Sequence, residues 1–179
     1  MSHAPSAADF IAFWQEAGPP KWFKKSPEFD AEIRTRFEAL HHAAARRELD
    51  GWADTAEGSL ALLLLLDQFP RNMFRASAHA FATDPLARMF AERALAAGFA
   101  RQVAPELRNF FHLPFEHSEA LADQDRAVAL AVDADALKWA EIHRHIIVRF
   151  GRFPHRNAAL GRATTPEEQA FLDSGGFAG

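Results

Sequence analysis

Two short segments of similar sequence carry the residue types best suited to binding chemistry. Residues 67–72 are Asp-Gln-Phe-Pro-Arg-Asn, and residues 152–157 are Arg-Phe-Pro-His-Arg-Asn. Each Phe-Pro pair closes an apolar, helix-like stretch. Proline has no N–H and clashes with the preceding turn, so each pair is predicted to end a helix and to hold the polar side chains on a stiff connection. We call residues 67–75 the first exit and residues 149–162 the second exit.

Both exits are rich in groups that bind anions. An arginine fork binds carboxylate or phosphate through two hydrogen bonds, and asparagine adds a neutral donor and acceptor. If the two preceding helices are neighbours, both exits face one cavity. The predicted ligand-binding residues are Gln68, Arg71, Asn72, Arg149, Arg152, Arg156 and Asn157.

The alternative is that these arginines form ion pairs that only tie helix ends together. Asp67 is the acidic residue within the first exit that would serve this purpose. The excess of arginine over acid in the two segments favours a pocket, because an unpaired buried charge is costly.

Proton transfer at such a site would fall to Asp67, His117 or His155. His117 belongs to a turn, residues 112–119, that contains two histidines and two glutamates. A general base oriented by a carboxylate and a metal ligand are both chemically reasonable roles for it. A further alternative is that Glu116 and His117 cap the next helix. The turn lacks a HExxH pattern and is broken by Pro114, so we expect no metal and no cofactor.

Composition narrows the class of protein. The chain has 179 residues, 49% of them hydrophobic, a formal net charge of −4 and no cysteine. The net charge argues against nucleic acid as a partner. The absence of cysteine excludes disulfides, thiolate metal sites and cysteine nucleophiles. The longest apolar run, residues 60–66, is far short of the ~20 residues of a membrane span, and residues 1–8 do not resemble a signal peptide. We therefore expect a cytoplasmic protein with no membrane partner.

Apolar residues at helical spacing, bounded by capping residues and prolines, predict an all-α fold without a sheet. Seven or eight helices would form one domain over residues 1–179, as a bundle or an α-solenoid. The predicted segments begin at Ser6, Ser26, Asp54 or Thr55, Asp84, Pro105, Ser118, Asp135 and Thr165.

Three blocks of the sequence resemble a known family. They are residues 66–72 with 74–75 and 80–84, residues 111–114 with 117–119, and residues 149–157 with 160–162. In this order they resemble DUF924, a bacterial family of unknown function, over nearly the whole chain. The resemblance implies a TPR-like helical fold and no settled activity. It also implies tyrosine at position 112, where this chain has His112.

Three functions fit these observations. In the first, the exits bind a small anionic metabolite, with enzyme and simple binder left as alternatives. In the second, the chain is a TPR-like docking module that clamps a peptide by its C-terminal carboxylate. In the third, the blocks form a buried polar network that only fixes the fold. No sequence feature indicates an oligomeric state.

Overall fold

The structure, a computed structural model, describes residues 5–179. The first four residues, part of the predicted domain span and of the N-terminal segment compared with signal peptides, lie outside it. The described residues contain helices and turns but no strand, which confirms the all-α prediction. The helices are α1 (Ala7–Ala17), α2 (Pro19–Trp22), α3 (Pro27–Ala45), α4 (Ala56–Leu63), α5 (Phe69–Met73), α6 (Asp84–Ala96), α7 (Leu113–Glu116), α8 (Leu121–Leu130), α9 (Ala134–Phe150) and α10 (Pro166–Asp173).

Tighter and wider turns connect several of these helices. Leu64–Gln68 is a π-helical turn between α4 and α5. The 3₁₀ segments are Asp50–Asp54, Ala78–Phe81, Phe99–Gln102, Pro105–Phe111 and Pro154–Arg156. In the part of the chain that the structure describes, no helix combines the length and apolarity needed to cross a membrane.

Local capping explains where several helices begin. The hydroxyls of Ser6, Ser26, Thr55 and Thr165 each accept a backbone N–H from the first turn of the helix that follows. These positions agree with the sequence, because such caps depend only on near neighbours. The N-cap of α9 is Asp133 rather than the predicted Asp135.

Two compact units make up the chain. Unit one comprises residues 5–75 and 79–114, and unit two comprises residues 76–78 and 115–179. The first exit belongs to unit one and the second exit to unit two. The single domain and the TPR-like arrangement stay predictions.

Aromatic packing forms the core of unit one around Phe69. The Phe69 side chain is fully buried, and its ring centroid lies 4.4 Å from that of Phe10, 5.3 Å from Trp14 and 5.5 Å from Phe37. Phe69 begins α5, so this packing fixes the position of the first exit.

The prediction that Phe69-Pro70 ends the helix is wrong. The chain passes through the π turn and continues as α5, with Pro70 in its first turn. A proline inside a helix leaves the carbonyl four residues earlier without its usual donor. Here that carbonyl, Leu66 O, accepts the Thr83 hydroxyl at 2.6 Å. A side chain from outside the helix therefore compensates for the missing N–H.

Unit two is built on α8, α9 and α10. Ile146 and Ile147 of α9 pack with Phe153 in its core, and Phe150 and Phe171 contact this cluster. Gly151 ends α9 in the left-handed conformation, with φ of 68°, which glycine adopts without strain. The chain then turns directly into the second exit. Helix α8 begins at Leu121 rather than near the predicted Ser118.

Candidate functional site

Buried acidic and amide groups surround Arg71 in the first exit. Arg71 Nη1 and Nη2 donate to the two carboxylate oxygens of Asp84 at 2.8 and 2.9 Å. Nη1 also donates to Asp67 O at 2.6 Å and lies 3.4 Å from Asp67 Oδ1. Gln68 Nε2 donates to Asp67 Oδ2 at 2.5 Å. Burial lowers the pKa of Arg71, but the charges of Asp84 and Asp67 outweigh that effect and leave it raised. The guanidinium is therefore held by carboxylates of its own unit.

Asn72 and Arg75 of the first exit share a different carboxylate. Asn72 Nδ2 donates to Asp30 Oδ1 at 2.8 Å. Arg75 Nε donates to Asp30 Oδ2 at 2.5 Å and Nη2 to Oδ1 at 3.0 Å. Asp30 lies in the first turn of α3, so these contacts tie the first exit to that helix.

The second exit contains a network centred on Glu168. Arg152 Nε and Nη2 donate to the two oxygens of Glu168 at 2.6 and 2.8 Å, and Asn157 Nδ2 donates to Glu168 Oε2 at 3.1 Å. Hydrogen bonds from Arg152 are the main reason that the pKa of Glu168 falls to about 2. Glu168 is therefore ionised at neutral pH and fixes two of the predicted ligand-binding residues.

A second carboxylate, Glu119, completes this network. Arg162 Nη1 and Nη2 donate to Glu119 at 2.7 and 3.0 Å, and Arg162 Nε donates to Asn157 Oδ1 at 3.0 Å. The backbone N–H of Phe153 also donates to Glu119, at 2.8 Å. Glu119 and Glu168, which are distant in sequence from the second exit, thus bind one of its backbone N–H groups and three of its side chains.

Arg149 and Arg152 are fixed on one edge only. Arg149 Nε donates to Glu167 at 3.0 Å, and the Arg149 guanidinium lies over the rings of Phe150 and Phe171 at 4.6 and 5.7 Å. Arg152 donates to Glu168 through Nε and Nη2, and Nη2 also donates to Ala163 O at 2.8 Å. Within residues 5–179, Arg152 Nη1 and both Nη atoms of Arg149 make no hydrogen bond to protein. We call this pair of guanidiniums the braced pair.

An open apolar cavity shares the Phe171 side chain with the surroundings of Arg149. It has a volume of about 420 Å³ and is lined by Lys138, Glu141, Ile142, His145, Ile146, Phe171 and Phe177. Phe171 also touches the Arg149 guanidinium. A cationic group and an apolar wall therefore adjoin each other at the end of α9.

The other predicted residues of unit two lie among aromatic rings. Arg156 is buried, with its guanidinium 4.5 Å from the centre of the Phe153 ring. The His155 ring contacts Phe153 and Phe177, with centroid separations of 5.6 and 5.4 Å.

His117 lies near a buried histidine. Its ring centroid is 6.3 Å from that of His143, whose Nδ1 donates to Trp139 O at 2.8 Å and lies 3.0 Å from Glu116 Oε1. Glu116 thus contacts His143 of α9.

The structure brings several predicted residues together within each unit. Asp67, Gln68 and Arg71 share one cluster, and Arg152 and Asn157 share another. Sequence analysis missed the carboxylates that bind the exit residues, which are Asp30, Asp84, Glu119, Glu167 and Glu168. Within each unit they offset part of the positive charge of the exit arginines. Only the Thr165–Glu168 capping pattern gave a local signal for one of them.

Comparison with known proteins places the chain among proteins without an assigned activity. A family model described as a bacterial protein of unknown function (DUF924) matches residues 10–176. A solved structure, described as that of protein of unknown function ATU0120 from Agrobacterium tumefaciens, is 56% identical. The match covers 94% of this chain and 97% of that one, with a TM-score of 0.91. No curated protein matches the chain.

Proposed function

We propose, for a chain that belongs to the DUF924 family of bacterial proteins of unknown function, that it binds a small anionic metabolite at the second exit. The observation that carries the proposal is the braced pair, of which Arg149 lies over Phe171, a residue that lines an apolar cavity of about 420 Å³. A ligand with an anionic head and an apolar body fits this combination, since small-molecule sites are mostly apolar with a few placed polar groups.

The bracing glutamates support this proposal in a second way. A guanidinium held by Glu167 or Glu168 loses little side-chain freedom when a ligand binds, because it is already ordered. Its remaining N–H groups donate charge-assisted hydrogen bonds, which are among the strongest in proteins. In the proposed site Arg149 and Arg152 bind the anionic head, and Arg156 and Asn157 shape the surrounding region.

The proposal also covers properties that the sequence predicted. The protein would act in the cytoplasm, with enzyme and binder both left open. Asp67, His117 and His155 stay the residues predicted for any proton transfer, and Gln68, Arg71 and Asn72 stay predicted ligand residues in unit one. A chemical change in the bound ligand, followed by NMR, is the measurement that separates an enzyme from a binder.

Thermal shift against a panel of carboxylates, phosphates and nucleotides tests the site. A ligand at 100 times its Kd adds about 2.7 kcal/mol, which corresponds to a shift of about 5–10 °C for a domain of this size. The Arg149→Ala substitution removes an exposed ion pair and should leave the fold intact. It should weaken binding of the ligand about 10- to 100-fold in calorimetry, the loss of one or two charge-assisted hydrogen bonds.

Arg144→Ala is the matched control. Arg144 also lies on α9, is similarly exposed, and pairs with Asp125 at 2.6 Å. It is outside the braced pair, so its removal should leave Kd unchanged. Equal Kd values in wild type, Arg149→Ala and Arg152→Gln would contradict the proposal, as would a panel that shifts nothing.

A peptide-docking function is the second candidate, and the same cavity favours it. A C-terminal carboxylate on the braced pair would place the last side chain against Ile142, Ile146 and Phe171. The TPR-like fold that the family resemblance implies would favour this alternative, because TPR-like grooves often bind an extended peptide. Binding of a peptide with a free C-terminus but not of its amidated form would support docking, whereas binding of a free metabolite alone would support the first candidate.

A purely structural role is the third candidate, and the ion pairs of unit one favour it there. Arg71 is held by Asp84, and Arg75 by Asp30. A structural role predicts that Arg71→Ala lowers the melting temperature and leaves every ligand response unchanged.

A further inference from the structure

Three histidines of unit one cluster outside both exits. His41 and His42 are consecutive on α3, and His79 lies in the 3₁₀ segment Ala78–Phe81. Their ring centroids are 5.2, 5.2 and 5.4 Å apart. Each ring offers one nitrogen, and the three nitrogens all lie within 4.8 Å of one another. Imidazole nitrogen is a preferred ligand of zinc and related metals.

Backbone contacts fix the orientation of His41. The residue is fully buried, and its Nδ1 lies 2.8 Å from Leu65 O. A carbonyl only accepts, so Nδ1 carries the hydrogen and Nε2 carries the lone pair. The π turn makes this contact available, because the Phe69 N–H donates to Leu64 O. Metal-binding histidines commonly donate their other ring N–H to a backbone carbonyl in this way.

His79 presents its Nε2 to His41 at a spacing suited to a shared ion. The two Nε2 atoms are 3.1 Å apart. Two nitrogens bound to one tetrahedral zinc at 2.0–2.1 Å are about 3.3 Å apart. The His79 ring stacks on Phe74, with centroids 3.8 Å apart and planes 3° from parallel, and this packing limits its movement. Without an ion the His79 Nε2–H donates to His41. With an ion bound, that hydrogen moves to His79 Nδ1.

His42, the third histidine of the cluster, lies near the carboxylate of Glu38. His42 is partly exposed, and Glu38 Oε1 lies 3.9 Å from His42 Nε2. An ion can therefore enter from solvent, and the carboxylate lowers the cost of bringing positive charge near the rings. Burial lowers the pKa of His41 to about 4 and also lowers that of His79. A metal binds the neutral ring, so lowered pKa values favour coordination over protonation.

We propose that His41, His42 and His79 bind one divalent transition-metal ion, with Zn²⁺ as the ion that suits this donor set. Three nitrogen ligands leave a fourth tetrahedral position for water or for Glu38, as in zinc sites that do chemistry. The site shares no residue with the braced pair. The two proposals are therefore tested by different variants.

Cobalt spectroscopy and zinc calorimetry on tag-free, chelator-treated, full-length protein test this site. We expect one equivalent of Co²⁺ to bind with the strong visible absorption of a four-coordinate ion, and Zn²⁺ to displace it. His79→Gln and His42→Gln each remove a ligand. Their loss of Zn²⁺ affinity should exceed the 10- to 100-fold effect typical of changes in the surrounding shell.

Two controls keep the test specific. His145→Gln alters an exposed histidine of unit two and should bind Zn²⁺ like wild type. Arg149→Ala should also retain Zn²⁺, which separates this site from the anion site. Circular dichroism checks that each variant is folded, and His42→Gln removes a partly exposed ring rather than a core side chain. The proposal is overturned if wild type shows no saturable binding, or if folded His42→Gln and His79→Gln bind as tightly as wild type.

Discussion

The arginines of the two exits differ in how many of their N–H groups the protein uses. Arg162 donates through Nε, Nη1 and Nη2 to Asn157, Glu119 and Phe153 O. Within the described residues 5–179, Arg149 donates to protein through Nε alone. A guanidinium that is satisfied on every side stabilises the fold, and one that is held on a single edge can also bind a ligand. The distinction depends on distant glutamates, so residue type alone could not reveal it.

His112 gives a prediction about pH at this scale. Burial lowers its pKa from 6.5 to about 4, and its buried Nδ1 has no hydrogen-bond partner in residues 5–179. The pKa of the folded state lies below that of the unfolded state. The contribution of the neutral His112 ring to the free energy of unfolding is therefore complete above pH 6.5, and it is lost as pH falls towards 4. Between pH 7.5 and 4.5, the free energy of unfolding of His112→Phe should therefore fall by about 2–3 kcal/mol less than that of wild type.

Urea unfolding at the two pH values measures this difference. His145→Gln, which changes an exposed ring, should follow wild type. Identical pH dependence in wild type and His112→Phe would show that burial does not suppress protonation at position 112.

Secondary-structure elements were predictable where their signals are local. The caps Ser6, Ser26, Thr55 and Thr165 bond to residues three positions away. The sequence predicted all four, with Asp54 as the alternative to Thr55. The continuation through Pro70 was not predictable. It depends on Thr83, which lies 17 positions from the carbonyl that it satisfies. Proline's local tendency to end a helix was overridden by a contact that only the folded chain provides.

The start of α4 gives a prediction at the scale of elements. A Cβ added at Gly58 would lie 2.1 Å from Trp52 O and 2.9 Å from the capping Thr55 Oγ1. Gly58→Ala should therefore destabilise the protein by about 1–3 kcal/mol, although alanine favours helix by about 1 kcal/mol. Chemical denaturation measures the change.

Gly51→Ala is the matched control in the adjoining 3₁₀ segment. A Cβ there meets nothing within 4 Å. Its effect should stay within about 0.5 kcal/mol. Equal effects of the two substitutions would show that the backbone of Asp50–Asp54 moves away from α4 without cost.

At the scale of the whole molecule, the chain divides into two compact units that each contain one exit. Composition and periodicity predicted the all-α class correctly, because helix-forming patterns recur along the whole chain. The carboxylates that bind the exits were not predictable. Asp84 lies 13 positions from Arg71, Glu168 lies 16 from Arg152 and Glu119 lies 43 from Arg162. Pairing across such separations is a property of tertiary structure.

Glu168 gives the prediction at this scale. Hydrogen bonds from Arg152 lower the pKa of Glu168 from 4.5 to about 2, so the stability it contributes is present above pH 4.5 and is lost as pH falls towards 2. Glu168→Gln at pH 7 leaves the partly exposed Arg152 without its carboxylate and should cost about 1–3 kcal/mol. Hydrogen exchange should locate the loss in peptides of unit two.

Glu167→Gln is the neighbouring control. Its ion pair with Arg149 is exposed, so its loss should cost about 0–1 kcal/mol. If the two glutamine variants are equally stable, the network around Glu168 contributes nothing to unit two.

The π turn at Leu64–Gln68 also makes the first exit sensitive to the number of residues in the chain. A π turn is what results when one extra residue is accommodated within an α-helix. Each residue of an α-helix turns the chain by about 100°, so deleting one residue here would rotate every following side chain around the axis. Asp67 and Arg71 would face new neighbours although no residue type had changed. Insertion and deletion, rather than substitution, are therefore the evolutionary steps that would redirect this part of the molecule.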